Sequence, residues 1–341
     1  KELSKNKRFS FPDCLSKSKV MKKIVFGIDI SSKTLDICKK EAGKNEFYTI
    51  ENEVSAIKKF FKKQIVQNAE ILVGMENTGR YNWNLYEVLE SFDFKIYVIN
   101  PLHLKKSLGL VRGKNDKIDA ERIAWFTEKN QEELLVWKPS SEVMKKIKVL
   151  FSERNSKVKL KAALLKQRQN YTQTKSLKLD KQLLKLNEKE TKMLSEHIAF
   201  LENEIENLIN SDEDLRGKKE TIQSIPGVGK VLSWMMIAKT EGFTKINEAR
   251  KMACYAGVVP FENQSGTSLR HKPKVSYFAD KSLKSVLHLA AMSAIRLEND
   301  LRVYYQRKVK EGKNKMLVLN AVRNKIVHRI FALIKTGKSY E

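Results

Sequence analysis

Residues 23–30, KIVFGIDI, decide the fold of the N-terminal half. Ile24, Val25, Phe26 and Ile28 form an apolar run rich in β-branched residues. Such a run reads as a strand buried on both faces, and this one ends in a carboxylate, Asp29. The following SSKTLDICKK begins a second strand across a turn. Val54, Ile57, Phe60, Phe61 and Ile65 then repeat at helical spacing, and ILVGME at 71–76 is another short apolar strand ending in an acid. Residues 82–92 read as a helix, and KIYVIN at 95–100 as a third buried strand stopped by Pro101. Strands alternating with helices imply an α/β sheet with crossover connections.

Beyond this block the punctuation changes. No glycine lies between Gly113 and Gly217, and no proline between Pro139 and Pro226, so helix can run there unbroken. Leu194, Ile198, Leu201, Ile205 and Leu208 step by fours and threes, as do Val143, Ile147 and Leu150, and Val158, Ala162 and Leu165. That is coiled-coil spacing, with the polar NYTQTKS at 170–176 as the interruption. An intrachain helical hairpin or pairing with a second chain would bury these stripes equally well. Glycine and proline return in SIPGVGK at 224–230 and YAGVVP at 255–260, where a second domain begins. It ends in helices over about 280–307 and 314–335. The expected organisation is a basic flexible arm at 1–23, an α/β domain at 24–140, a helical coiled-coil spacer at 141–215, and a mainly α domain at 216–341.

The balance of 66 Lys and Arg against 40 Asp and Glu gives a charge of +26, which favours a polyanionic partner through phosphate contacts and counterion release. Nucleic acid is the expected partner. A membrane is not, because no apolar run approaches the roughly 20 residues needed to span one, and no signal pattern opens the chain, so a cytoplasmic location is expected. Cys14, Cys38 and Cys254 are far apart without CxxC pairing, which argues against a disulfide scaffold or zinc knuckle. Any metal must therefore sit on oxygen.

Four acids have a setting that suits this. Asp29 and Glu76 stand directly behind apolar strand residues, where a carboxylate needs a reason. Asp116 and Asp119 lie three apart in KNDKIDAERIAWF, hence on one face of a helix. Delivered to one side of a sheet, the four would make a site for a hard cation, Mg²⁺ with Mn²⁺ as a substitute. Asp36, Glu70, Glu87 and Asp93 lack that setting and read as scaffold. For Asp116 and Asp119, the preference of acids for helix N-termini is a sufficient structural reason by itself.

GIDISSKTLDI, MENTGRYNWNLYEVL and INPLHLKKSLGLVRGKNDKIDAERIA together resemble the N-terminal RuvC-like domain of the DEDD transposases of the insertion sequence one-ten and eleven-eleven family, relatives of the Piv-type DNA invertases. The order of acids matches Asp29, Glu76, Asp116 and Asp119, and the likeness extends from about Ile24 to the C-terminus. The resemblance implies an RNase H/RuvC-like mixed sheet. It also implies a transposase that cuts and rejoins DNA, works as a dimer assembling to a tetramer, and in some members is guided by a structured bridge RNA.

In the second domain, SIPGVGKVLSWMMIA resembles a helix-hairpin-helix element. There Gly227 and Gly229 would expose backbone amides to a DNA phosphate and Lys230 would add charge. An ordinary glycine turn between packed helices explains the motif equally well. YAGVVPFENQSGTSLRHK places Ser265 before Gly266 in a polar loop flanked by Arg270, His271 and Lys272. A Ser-Gly pair is normally a turn. The family resemblance makes Ser265 the nucleophile, forming a phosphoserine link to DNA, with Arg270 and Lys272 stabilising phosphate charge. The chain departs from the family at 274–287, KVSYFADKSLKSVL, where many members carry serine-lysine-glycine-asparagine. The alternative reading is a RuvC-like metal-dependent junction nuclease with no covalent intermediate. A non-catalytic nucleic-acid-binding protein accounts only for the charge. A sugar kinase, suggested by GIDISSK, would need further phosphate and adenosine motifs that are not found.

Overall fold

The computed structural model describes residues 22–66, 68–107, 115–171, 178, 180–265, 269–338 and 340. Of the basic arm expected at 1–23, only Lys22 and Lys23 fall within these, and they open the first strand. The chain forms two compact units that meet in sequence between Pro139 and Ser140.

The first unit is built on β1 (Lys22–Ile30), β2 (Thr34–Glu41), β3 (Lys44–Glu51), α1 (Val54–Gln64), β4 (Ala69–Glu76), α2 (Trp83–Leu89), β5 (Lys95–Ile99), α3 (Pro101–Ser107) and α4 (Asp116–Asn130). The sheet order is β3-β2-β1-β4-β5. β1 runs antiparallel to β2 and parallel to β4, and β5 is parallel to β4. The five-stranded sheet is therefore mixed, with its parallel half joined by crossover helices as the alternation in the sequence predicts. Pro101 does end β5, but it also opens α3, since its fixed φ and missing N–H suit the first helical position.

Strand alternation sorts the side chains to two faces. Ile24, Phe26 and Ile28 of β1, with Ile71, Val73 and Met75 of β4, pack against Ile57, Phe61, Leu85 and Leu89 of α1 and α2. Val25 and Leu72, on the other face, pack against Ala120 and Ala124 of α4. Asp29 and Glu76 follow at the same parity on that second face.

The second unit contains α5 (Glu142–Tyr171), α6 (Asp180–Asn210), α7 (Glu213–Gln223), α8 (Lys230–Thr240), α9 (Ala249–Tyr255), β6 (Pro260–Ser265), β7 (Leu269–Val275), α10 (Lys281–Ala294), α11 (Asp300–Lys310) and α12 (Lys315–Thr336). α5 and α6 pack on each other. Arg154 pairs with Glu202 at 2.6 Å and Arg168 with Glu188 at 2.7 Å, so one helix ascends as the other descends. Ile147 of α5 and Leu194, Leu201 and Ile205 of α6 are buried within the chain, whereas Val158, Ala162 and Leu165 of α5 are exposed. Met144, Ile147, Phe151, Ile205 and Ile209 root this hairpin in a core shared with α7 to α12. Glu206 of α6 ties three helices, accepting from Lys219 Nζ of α7 at 2.6 Å and from Trp234 Nε1 of α8 at 2.8 Å. Among the described residues, no helix is long and apolar enough to cross a membrane.

Candidate active site

The four carboxylates flank a contact in which a helix lies directly on backbone. Gly27 of β1 and Gly74 of β4 are register partners. A Cβ at Gly27 would come within 2.2 Å of both Ala120 O and Ala124 N, and one at Gly74 within 1.8 Å of Thr127 Oγ1. Only glycines on adjacent strands let α4 settle this close. Two residues beyond each glycine, at the ends of parallel strands, stand Asp29 and Glu76. In the first turn of α4, Asp119 immediately precedes Ala120 and Asp116 stands one turn back from it.

The electrostatics register this convergence. Asp29 is half-buried, and its carboxyl is pushed up from 3.8 to about 6, first by burial and then by the negative charges of Asp119, Asp116 and Glu76; the Ile30 amide opposes the shift. That amide donates to Asp29 Oδ1 at 3.1 Å. Asn115 caps α4, accepting from Lys117 N at 3.1 Å, and Arg122 holds Asp119 at 2.8 Å. Among the described residues, no three His, Cys, Asp or Glu side chains are gathered closely enough to hold a metal ion. The donor chemistry nevertheless suits one: four carboxylates, acceptors only, three of them repelling the fourth, are an oxygen set that a hard divalent cation satisfies.

Two asparagines that the sequence reading passed over brace the loops behind the acids. Asn82 is fully buried; its Nδ2 donates to Glu76 O at 2.9 Å, and its Oδ1 accepts from Thr78 N and Thr78 Oγ1. Asn52 Nδ2 donates to Ser31 O at 2.9 Å and Tyr81 O at 3.1 Å, joining the turn after Asp29 to the loop after Glu76. The signal was present in ENEV and YNWN, where asparagine stands beside apolar helix starts. Such residues read as caps and turns until the fold shows them buried.

In the second unit, the stretch expected as a polar loop is a two-stranded antiparallel ribbon. Ser265 closes β6, opposite Leu269. PFENQS and LRHKPKV carry no apolar alternation, and among the described residues neither strand joins the core, so the pattern that betrays a strand is missing. β7 also carries Arg270 and Lys272. The side chains of Ser265, Arg270 and Lys272, and Gly266 altogether, lie outside what the structure describes.

The turn between α7 and α8 gives its two glycines different settings. Gly227, at φ +84°, packs on α10, where a Cβ would come within 2.4 Å of Ala294 N. Gly229 faces open space and leads into α8 with no side-chain cap. Lys230 is exposed, its Nζ 5.5 Å from the Trp234 ring centre.

Residues 26–173 match the IS110-type DEDD transposase family, described as "Transposase", and residues 219–306 match "Transposase IS116/IS110/IS902 family". The chain belongs to this transposase family. The pilin gene-inverting proteins of Moraxella bovis and Moraxella lacunata are each 26% identical over 329 residues, spanning 94% of this chain and 98% of theirs. An insertion element IS110 protein of 43.6 kDa from Streptomyces coelicolor is 27% identical over 139 residues, 40% of this chain and 34% of that one. Family membership makes the transposase a DNA-rearranging enzyme and points to a divalent metal requirement.

Proposed function

We propose that this transposase cuts and rejoins DNA through a phosphoserine intermediate, using a divalent cation held by Asp29, Glu76, Asp116 and Asp119. The observation that carries the metal half is the raised Asp29 carboxyl beneath three other acids. Mg²⁺, or Mn²⁺ in its place, would relieve that repulsion, draw the four groups together and neutralise charge on the scissile phosphate. Arg122 would release Asp119 in the process. The serine half rests on the family resemblance and on the position of Ser265 at the end of β6.

Ser265 Oγ attacks the phosphorus and loses its proton. The Oγ–P bond forms as the P–O bond to the neighbouring deoxyribose breaks, and the departing hydroxyl takes up a proton. Energy kept in the phosphoserine allows the reverse attack to rejoin strands without an external source. Arg270 and Lys272 stabilise the phosphate, while the amides and charge of Gly227, Gly229 and Lys230 hold DNA backbone. A structured guide RNA pairing with donor and target DNA, and a homodimer assembling to a tetramer, complete the reading.

The test incubates the full chain with Mg²⁺, the DNA ends of its element and RNA transcribed beside its gene, followed by denaturing electrophoresis. A protein–DNA adduct removed by Ser265→Ala and by Asp29→Ala is expected. Cleavage without adduct, indifferent to Ser265, would replace this mechanism with metal-dependent hydrolysis.

A further inference from the structure

A second surface stands out at the root of the β6–β7 ribbon. Tyr277 is 80% exposed and Phe278 64% exposed, and their rings meet edge to face at 5.7 Å. Lys281 Nζ lies 5.0 Å from the Tyr277 ring centre. Phe261, itself exposed, pairs across the ribbon with Lys274.

The segment carrying these rings is held at several points. Asp280 N donates to Tyr255 O at 2.8 Å, Asp280 Oδ1 caps α10 by accepting from Leu283 N at 2.9 Å, and Lys239 pairs with Asp280 at 2.8 Å. Ala279 sits on Gly257, where a Cβ would approach its own to 2.4 Å. Two adjacent aromatic rings fixed in this way and left in water forgo a large hydrophobic gain, which a partner would restore.

Charge selects the partner. Lys281 lies over the Tyr277 ring, and Lys274, opposite Phe261, stands on β7 three residues before Tyr277, on a chain of net charge +26. A second copy would bring like charge to the patch, whereas a nucleic-acid strand brings phosphates to the lysines and base faces to the rings. Aromatic faces interleaved with cations are how unpaired strands are gripped without reading their sequence. A duplex hides its base faces and could use only the lysines.

We propose that Tyr277 and Phe278 form a stacking platform for unpaired bases of the DNA strand being cut, with Lys274 and Lys281 on its phosphates. The choice of DNA rests on the reading of Ser265 as nucleophile. Ser265 and Pro260 bound β6, so at about 3.4 Å per residue the ribbon's end and root are roughly 17 Å apart, a span of a few nucleotides. A strand joined at Ser265 can lie along the ribbon and reach the platform.

The test is run in full-length Ser265→Ala protein, so that nothing is cut. Binding is measured to a single-stranded DNA carrying 2-aminopurine, to RNA of the same sequence and to the paired duplex. Tyr277→Ser with Phe278→Ser should weaken single-stranded DNA binding by about 10- to 100-fold and remove the 2-aminopurine fluorescence change. Duplex affinity and melting temperature should stay as they were, and Tyr277→Phe should behave like the parent. Unchanged DNA binding, equal loss on duplex and single strand, loss confined to RNA, or a changed sedimentation coefficient with DNA binding intact would each overturn the platform. Because no cleavage is scored, a failure of the serine chemistry appears only in the adduct assay and not here.

Discussion

Gly27 of β1 and Gly74 of β4 stand opposite each other in parallel register, and neither has room for a methyl group beneath α4. The obstruction differs between them. At Gly27 the neighbours are the backbone of Ala120 and Ala124, whereas at Gly74 they are Thr127 side-chain atoms. Gly27→Ala should therefore lift the helix and destabilise the protein by roughly 1–3 kcal/mol or more, as overpacking does. Gly74→Ala should do the same, but Thr127→Ala should restore part of the loss for Gly74→Ala and none for Gly27→Ala. Urea unfolding of the four variants decides this, and equal rescue of both would show that the close approach is not what the glycines serve.

Lifting α4 would also separate Asp116 and Asp119 from Asp29, which gives the pH dependence its meaning. An acid whose folded pKa is raised contributes stability in its protonated form. For Asp29 that contribution is present below 3.8 and lost as the pH rises through about 6. Without divalent metal, wild type should thus melt below Asp29→Asn at pH 8, by a few degrees at roughly 4 °C per kcal/mol, and level with it near pH 4. Mg²⁺ should raise the wild-type melting point at pH 8, less so below pH 6 where protons compete, and leave Asp29→Asn unmoved. Melting curves that respond to Mg²⁺ equally in both proteins would remove Asp29 from the metal site.

β1 and β4 were legible because they are apolar runs ending in acids, and α4 because Asp116 and Asp119 share a face, whereas β3, the polar and mostly exposed KNEFYTIE, was not. The closeness of α4 to the sheet was not, since a glycine in a strand announces only a missing side chain, and its meaning depends on which helix passes above. Asn52 and Asn82 were hidden for a related reason: asparagine signals a turn in sequence, and only burial reveals it as a brace. The β6–β7 ribbon escaped because PFENQS and LRHKPKV carry no apolar alternation. At Gly227 the motif invited a phosphate contact, while the fold supplies a packing contact with α10 as well.

Glu241 illustrates a charge whose partners lie far away in sequence. It ends α8 in the left-handed region at φ 51° and pairs with Lys148 of α5 and with Lys245, with only 9% of its side chain exposed. Its hydrogen bonds to both lysines outweigh burial, the largest single influence, and hold its carboxyl below the usual value. Burial in turn pulls Lys148 down. Glu241→Ala should cost roughly 2 kcal/mol, below the 3–5 of a fully buried pair because Lys148 keeps some water. Adding Lys148→Met should recover most of it, as replacing both partners of such a pair tends to be neutral. Chemical denaturation of the single and double variants is the measurement, and a double variant as unstable as the single would place the cost in the turn at residue 241 instead.

Lys230 separates the two readings of the turn that precedes α8. Its side chain is 60% exposed and its nearest acid, Glu202, is 3.9 Å away, so folding makes little demand on it. If Lys230 meets a DNA phosphate, Lys230→Gln should weaken duplex binding alike for all sequences and lower the slope of log affinity against log salt by about one. Melting temperature should not move. A solvated lysine would leave the slope unchanged, and the α7–α8 turn would then stand as a packing element fixed by Gly227 on α10.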